Sequence, residues 1–82
     1  MSAPIDREPL RAYFTNVIGG DRSLLPGDDA PLVDEGILDS FGLAELVTFV
    51  EETYGVKVAD DDVNFDKLGS IDAIAAYVEA RR

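Results

Sequence analysis

The sequence contains no histidine, no cysteine and no tryptophan. A Ser-His-Asp triad, a Cys-His pair and metal sites built from imidazole or thiolate ligands are therefore excluded. Without cysteine the chain carries no mark of its redox compartment. Residues 1–8 lack the basic stretch and the apolar run of a secretory signal. We therefore expect a cytoplasmic protein.

Positive charge is also scarce, because seven basic residues stand against 17 acidic ones and give a net charge of −10. Such a chain repels nucleic acid and anionic membrane surfaces, so we expect basic protein partners and neither nucleic acid nor membrane. The chain has 82 residues, of which 46% are hydrophobic. This length and composition predict one small monomeric domain over 1–82, with a folded core of about 6–80.

Apolar residues recur at the spacing of a helix face in three segments. The first ends at Gly19-Gly20, with Asp6 as its predicted N-cap; the second ends at Gly55; Ser70 is the predicted N-cap of the last. The residues that form these faces are Leu10, Tyr13, Phe14, Val17 and Ile18 in the first segment, Leu43, Leu46, Val47, Val50 and Tyr54 in the second, and Ile71, Ile74, Ala75 and Val78 in the last.

The intervening segments complete the predicted fold. Residues 21–39 are too rich in proline and glycine for a regular element, so they predict a long loop held by its apolar residues. Asp60 to Leu68 predicts one short helical turn, with Val63, Phe65 and Leu68 facing inward. The fold class is therefore all-α: a small antiparallel bundle of three main helices and a short one, with the long loop between the first and second helices.

Two familiar kinds of site are only partly matched. Ser40-Phe41-Gly42 resembles the end of a nucleophile elbow, but Leu38 replaces the first glycine and no base is present. A calcium loop could use the alternating residues Asp60, Asp62, Asn64 and Asp66. That pattern fails because Phe65 occupies the position of the turn glycine and Ile71 that of the bidentate glutamate. No metal site is therefore expected, and calcium titration is the test.

The junction between the long loop and the second helix is the remaining candidate. We predict that Asp39 is the N-cap and that Ser40 is the first helical residue, where free backbone amides stabilise a phosphate ester. Helical projection places one group of side chains opposite the apolar face, and these are the predicted partner-docking residues: Phe41, Glu45, Thr48 and Glu52, with Glu51 at the margin. From position alone, Ser40 could be only a cap, and Phe41 could be only an isolated exposed hydrophobe or a side chain that folds back under the long loop.

The run Gly36-Ile37-Leu38-Asp39-Ser40-Phe41, followed by Leu43, Leu46 and Val47, resembles the Asp-Ser motif that opens the second helix of acyl carrier proteins. The resemblance extends from about Leu10 to Val78 and includes the order of helices, the acidic balance and the exit Tyr54-Gly55-Val56. It implies a non-catalytic carrier with a covalent 4'-phosphopantetheine arm on Ser40, which a phosphopantetheinyl transferase attaches from coenzyme A. Acyl or aminoacyl groups are then held as thioesters on the arm. The partners that it implies are an adenylating or acyl-transferring loading enzyme and downstream synthase or tailoring enzymes.

Two differences from other carrier proteins indicate which kind of carrier the sequence resembles. Ile37-Leu38 precedes Asp39, and Phe41 follows Ser40, whereas peptidyl carrier domains often show Gly-Gly before the motif and leucine after it. The acidic run on the second helix is also sparser than in primary fatty-acid carriers. We therefore expect a discrete acyl or aminoacyl carrier of a polyketide, nonribosomal peptide or other specialised pathway. The alternative is an unmodified small acidic helical interaction module.

Overall fold

The computed structural model describes residues 4–81. Its α-helices are α1 (Glu8–Val17), α2 (Ser40–Tyr54), α3 (Phe65–Leu68) and α4 (Ile71–Arg81), and single 3-10 turns lie at Arg22–Leu24 and Asp60–Asp62. Within the described residues there is no strand, so the prediction of an all-α fold with a long first loop is confirmed. No helix in this part of the chain is long and apolar enough to cross a membrane.

The start of α1 differs by one residue from its prediction. The N-cap is Arg7, whose side chain makes no capping bond, and not Asp6. The carboxylate of Asp6 accepts the amide N–H of Glu8 at 3.0 Å, while the next residue, Pro9, has no N–H to offer. The helix ends as predicted, because Gly19 and Gly20 adopt positive φ angles of 105° and 97° that favour glycine.

The core is entirely apolar, and within the described residues no polar or charged residue is buried. Every α-helix contributes to it, as do the long loop and the segment that follows α2. Its members are Ile5, Leu10, Phe14, Leu32, Leu38, Leu43, Leu46, Val50, Val58, Leu68, Ile71, Ile74, Ala75 and Val78. Leu68 is buried as predicted, whereas Val63 and Phe65 are only half-buried. Val17, at the last position of α1, is 51% exposed and lies outside the core that its spacing predicted.

Hydrogen bonds fasten the long loop to residues that precede it and to residues that follow it in the sequence. The Asp28 carboxylate accepts from Arg11 Nε at 3.1 Å, from Arg11 Nη2 at 2.6 Å and from Arg7 Nη1 at 3.3 Å. The Asp28 carbonyl accepts the N–H of Asp72 at 2.9 Å, and the Leu32 N–H donates to the Gly69 carbonyl at 2.8 Å. These bonds hold the loop against α1 and against the corner between α3 and α4.

That corner depends on Gly69 for steric reasons. A Cβ atom at this position would lie 2.2 Å from the backbone carbonyl oxygen of Phe65, far inside van der Waals contact. Glycine therefore permits the close passage of the chain from α3 into α4, where Ser70 caps α4 as predicted by accepting the Ala73 N–H at 3.0 Å. The same corner presents the Gly69 carbonyl to the long loop.

Candidate functional site

Ser40 occupies the first position of the 15-residue helix α2, directly after its N-cap. Asp39 has extended backbone angles, and its carboxylate accepts the Gly42 N–H at 2.7 Å. The predicted arrangement of cap and first helical residue is therefore confirmed. Because Asp39 makes the capping bond, the cap does not require the Ser40 side chain, and Ser40 is exposed to solvent.

Gly42 completes this arrangement, a role that the sequence did not predict for it. A Cβ atom here would lie 3.2 Å from Asp39 Oδ1 and 3.6 Å from Leu38 Cδ1. The absence of a side chain at Gly42 therefore lets the Asp39 carboxylate fold back onto the helix, while buried Leu38 anchors the chain just before the cap. The sequence could have indicated this role, because a glycine stands three residues after the predicted capping aspartate.

The first turn of α2 fits an attached phosphate ester. The amides of Ser40 and Phe41 have no acceptor within the helix, and the helix dipole places positive potential at this end. An exposed serine hydroxyl beside these amides can hold a phosphodiester without burying its charge. The residues present therefore fit a phosphopantetheine group joined through its phosphate, which Ser40 and the amides of the first turn would hold.

The outward face of α2 has the helical phase that the sequence predicted. Phe41 is 77% exposed, and Glu45, Thr48 and Glu52 are exposed on the same side. We call these four residues the α2 stripe. Glu51, predicted at its margin, is half-buried, and its carboxylate accepts the Val58 N–H at 2.8 Å. Glu51 therefore supports the chain as it leaves α2, and the docking role of the stripe stays a prediction.

An aromatic pair borders the α2 stripe on the side of α1. The rings of Tyr13 and Phe49 lie 4.5 Å apart between centroids, with an interplanar angle of 31°. Burial, and then the negative charge of Glu45, raise the pKa of the Tyr13 hydroxyl. Tyr13 therefore stays neutral beside the stripe at physiological pH.

Charge is segregated along the chain in a way that the sequence analysis missed. Between Arg22 and Lys57 there is no basic residue, although this stretch holds the long loop and α2. It contains eight acidic residues, which are Asp28, Asp29, Asp34, Glu35, Asp39, Glu45, Glu51 and Glu52. Within residues 4–81, Asp28 is the only one of these eight with a salt bridge. The surroundings of Ser40 therefore carry uncompensated negative charge. The absence of basic residues between Arg22 and Lys57 could have predicted this from the sequence.

Two of the four residues that resemble a calcium loop, Asp62 and Asn64, have other partners. The Asp62 carboxylate accepts from the Tyr77 hydroxyl and from Arg81 Nη2, each at 2.7 Å, and the Tyr77 hydrogen bond lowers the pKa of Asp62. The Asn64 side chain caps α3 by accepting the Lys67 N–H at 2.8 Å. In the part of the chain that the structure describes, no three acidic side chains gather into a group that could hold a metal ion.

Comparison with known proteins gives one family and several relatives. Residues 8–78 match the family model described as a phosphopantetheine attachment site. The chain is 36% identical over 53 residues to a D-alanyl carrier protein of Abiotrophia defectiva, covering 65% of this chain and 67% of that protein. It is 31% identical over 72 residues to an acyl carrier protein of Thermotoga maritima, with 88% and 85% covered. A meromycolate extension acyl carrier protein of Mycobacterium bovis is 27% identical over 79 residues, with 93% and 67% covered. No solved structure matches the chain significantly.

Proposed function

The chain belongs to the family of carrier proteins that bear a phosphopantetheine attachment site, and we propose that Ser40 is the residue that carries the group. Members of this family are non-catalytic carriers with covalently attached 4'-phosphopantetheine. The observation that supports Ser40 is its position as an exposed first residue of α2, with the capping task taken by Asp39.

Attachment requires an enzyme that supplies the missing chemistry. In the proposed reaction the Ser40 Oγ forms a bond to the β-phosphorus of coenzyme A, the diphosphate bridge breaks, and adenosine 3',5'-bisphosphate leaves. The proton of the hydroxyl passes to a base on the phosphopantetheinyl transferase, because the chain has no histidine and the Asp39 carboxylate accepts the Gly42 N–H. Once attached, the arm supplies the terminal thiol that a chain without cysteine lacks.

The cargo that we propose is an acyl or aminoacyl group, held as a thioester and delivered within a specialised biosynthetic pathway such as that of a polyketide or a nonribosomal peptide. The sparse acids of α2, with Glu45, Glu51 and Glu52 alone, support a pathway other than primary fatty-acid synthesis. Similarity to a D-alanyl carrier protein keeps aminoacyl cargo in the proposal. An adenylating or acyl-transferring loading enzyme chooses the cargo, and synthase or tailoring enzymes receive it.

The α2 stripe is the proposed docking surface for these enzymes and for the phosphopantetheinyl transferase. Phe41 offers an exposed aromatic side chain next to Ser40, and Glu45 and Glu52 offer carboxylates that no salt bridge within residues 4–81 neutralises. Thr48 lies between them, while Glu51 contributes charge from the margin. Apolar contact beside the reacting residue and acids farther along one helix suit an enzyme surface with a basic rim.

The attachment is tested by incubating the protein with a broad-specificity phosphopantetheinyl transferase, coenzyme A and magnesium. We expect intact-mass analysis to show the addition of one phosphopantetheine, and peptide mapping to place it at Ser40. Ser40→Ala should remain unmodified. Ser23→Ala, which removes an exposed serine from the 3-10 turn at Arg22–Leu24, should be modified as wild type. An unmodified wild-type protein would instead favour the unmodified interaction module, and modification of Ser40→Ala would place the site elsewhere.

A further inference from the structure

A shallow cavity lies between the long loop and the corner of α3 and α4. Its volume is about 200 Å³, and it opens to solvent. The residues that line it are Asp29, Pro31, Val33, Phe65, Asp66, Gly69, Ser70 and Ala73. We call it the corner pocket.

The corner pocket combines apolar walls with two carboxylates. Val33 is 40% exposed and Phe65 is half-buried, so both present apolar surface to a ligand. Asp29 and Asp66 are exposed, and neither takes part in a salt bridge within residues 4–81. Their neighbour Asp28 differs, because Arg7 and Arg11 compensate its charge. The pocket therefore favours a ligand that has both an apolar stem and a positive charge.

Hydrogen bonds connect the corner pocket to the attachment site. The N–H of Leu32, the residue before Val33, donates to the carbonyl of Gly69 in the pocket wall at 2.8 Å. The carbonyl of Leu32 accepts the N–H groups of Ile37 and Leu38 at 2.9 and 3.2 Å. Leu38 directly precedes the Asp39 cap, so the backbone that shapes the pocket also positions the approach to Ser40.

We propose that the corner pocket receives an arginine side chain of the phosphopantetheinyl transferase, an inference that rests on the proposed modification of Ser40. A guanidinium group stacks on an aromatic ring and forms paired hydrogen bonds with carboxylates, whereas a lysine ammonium is more strongly hydrated. Phe65 supplies the ring, Asp29 and Asp66 supply the carboxylates, and Val33 contacts the aliphatic stem.

The transferase fits this occupant on chemical grounds. It binds coenzyme A, whose phosphate groups are strongly negative, so the enzyme surface around its active site must be electropositive. It must also bring that surface to Ser40, in a stretch of this chain without basic residues. A basic side chain at the edge of the active site would then find uncompensated carboxylates in the corner pocket.

The test compares two pairs of substitutions that change net charge equally. Asp29→Asn with Asp66→Asn removes both pocket carboxylates, and Asp60→Asn with Asp61→Asn removes two exposed acids that do not line the pocket. With a broad-specificity transferase at low salt, we expect the pocket pair to lower kcat/KM at least about fivefold, mainly through KM, and the control pair less than about twofold. Circular dichroism should be unchanged in both.

A third variant examines the stacking contact. Phe65→Leu keeps an apolar side chain but removes the ring, and we expect it to lower kcat/KM about threefold or more at low and at high salt, because the ring contributes both apolar contact and cation–π attraction. An effect of the pocket pair no larger than that of the control pair would overturn the pocket, and a wild-type value for Phe65→Leu would overturn arginine as its occupant. Wild-type protein that accepts no phosphopantetheine would instead overturn the proposed function, an outcome distinct from both.

Discussion

Asp39 and Ser40 perform different tasks at adjacent positions of one helix start. The Asp39 carboxylate fixes the first turn through the Gly42 N–H, which leaves the Ser40 hydroxyl at an exposed position next to free amides. Gly42 has no side chain to obstruct the carboxylate. A capping carboxylate at Asp39, a hydroxyl at Ser40 and the absence of a side chain at Gly42 thus determine the local sequence around the proposed attachment site.

Asp28 is the residue whose charge most directly fastens the long loop. Hydrogen bonds from Arg11, followed by those from Arg7, lower the pKa of Asp28 below its ordinary value of 3.8. The pKa of Asp28 is lower in the folded state than in the unfolded state, so the ionised carboxylate stabilises the fold above about pH 4. This contribution to stability disappears as the pH falls through the folded-state pKa.

We therefore expect Asp28→Asn to be less stable than wild type at neutral pH, with a difference that narrows below about pH 3.5. Urea unfolding at about pH 7 and about pH 3 measures both differences. Asp29→Asn is the matched control, because its carboxylate lies next in the chain but makes no salt bridge within the described residues. A difference between Asp28→Asn and wild type that stays constant over this pH range would show that the loss of stability does not come from the charge of the Asp28 carboxylate.

At the scale of single elements, α2 separates its two faces sharply. Leu46 is fully buried in the middle of the apolar face, whereas Phe41 is 77% exposed. We expect Leu46→Ala to lower the free energy of unfolding by about 2 to 5 kcal/mol, because it opens a cavity, and Phe41→Ala to lower it by less than about 1 kcal/mol. Urea melts of both variants measure this, and a greater loss for Phe41→Ala would contradict the described phase of the helix.

Helix faces and the caps at Asp39 and Ser70 could be predicted because they depend on residues a few positions apart. The core of α2, its outward stripe and the Asp39 cap all follow from local spacing. The contacts of Asp28 with Arg7 and Arg11 span 21 and 17 residues, and Glu51 reaches Val58 only because the chain turns back after α2. Val17 has helical spacing, yet the chain turns at Gly19 and leaves it exposed. Such outcomes depend on tertiary packing, which local patterns do not encode.

The whole molecule presents its charges unevenly, and this should affect how enzymes approach it. Every basic residue lies outside residues 23–56, and in the described part of the chain four of them form salt bridges with acids. The negative field is therefore concentrated on the loop and α2. A basic enzyme is attracted to the side that carries Ser40 before any contact forms.

Reversal of charge on the α2 stripe should weaken this attraction. We expect Glu45→Lys with Glu52→Lys to lower the kcat/KM of a broad-specificity transferase about tenfold at low salt. The difference in kcat/KM between this variant and wild type should narrow above about 0.3 M salt, because charges are then screened. Asp60→Lys with Asp61→Lys is the matched control for net charge. Phe41→Ala should impair modification at both salt levels. Equal loss in the two charge-reversed pairs would mean that overall charge matters and that the α2 stripe has no special place.

The fastening of the long loop also sets an order of events during protein synthesis. Asp28 and Leu32 bond to the backbone of Asp72 and Gly69, which are made about 40 residues later. Until residues 69–72 have left the ribosome, the loop has only its contacts with α1 and lacks those with the corner between α3 and α4, although Ser40 has already been made. The region around Ser40 therefore becomes fully assembled only after α3 and its corner exist. A modifying enzyme that recognises this assembled surface would therefore not modify incomplete chains.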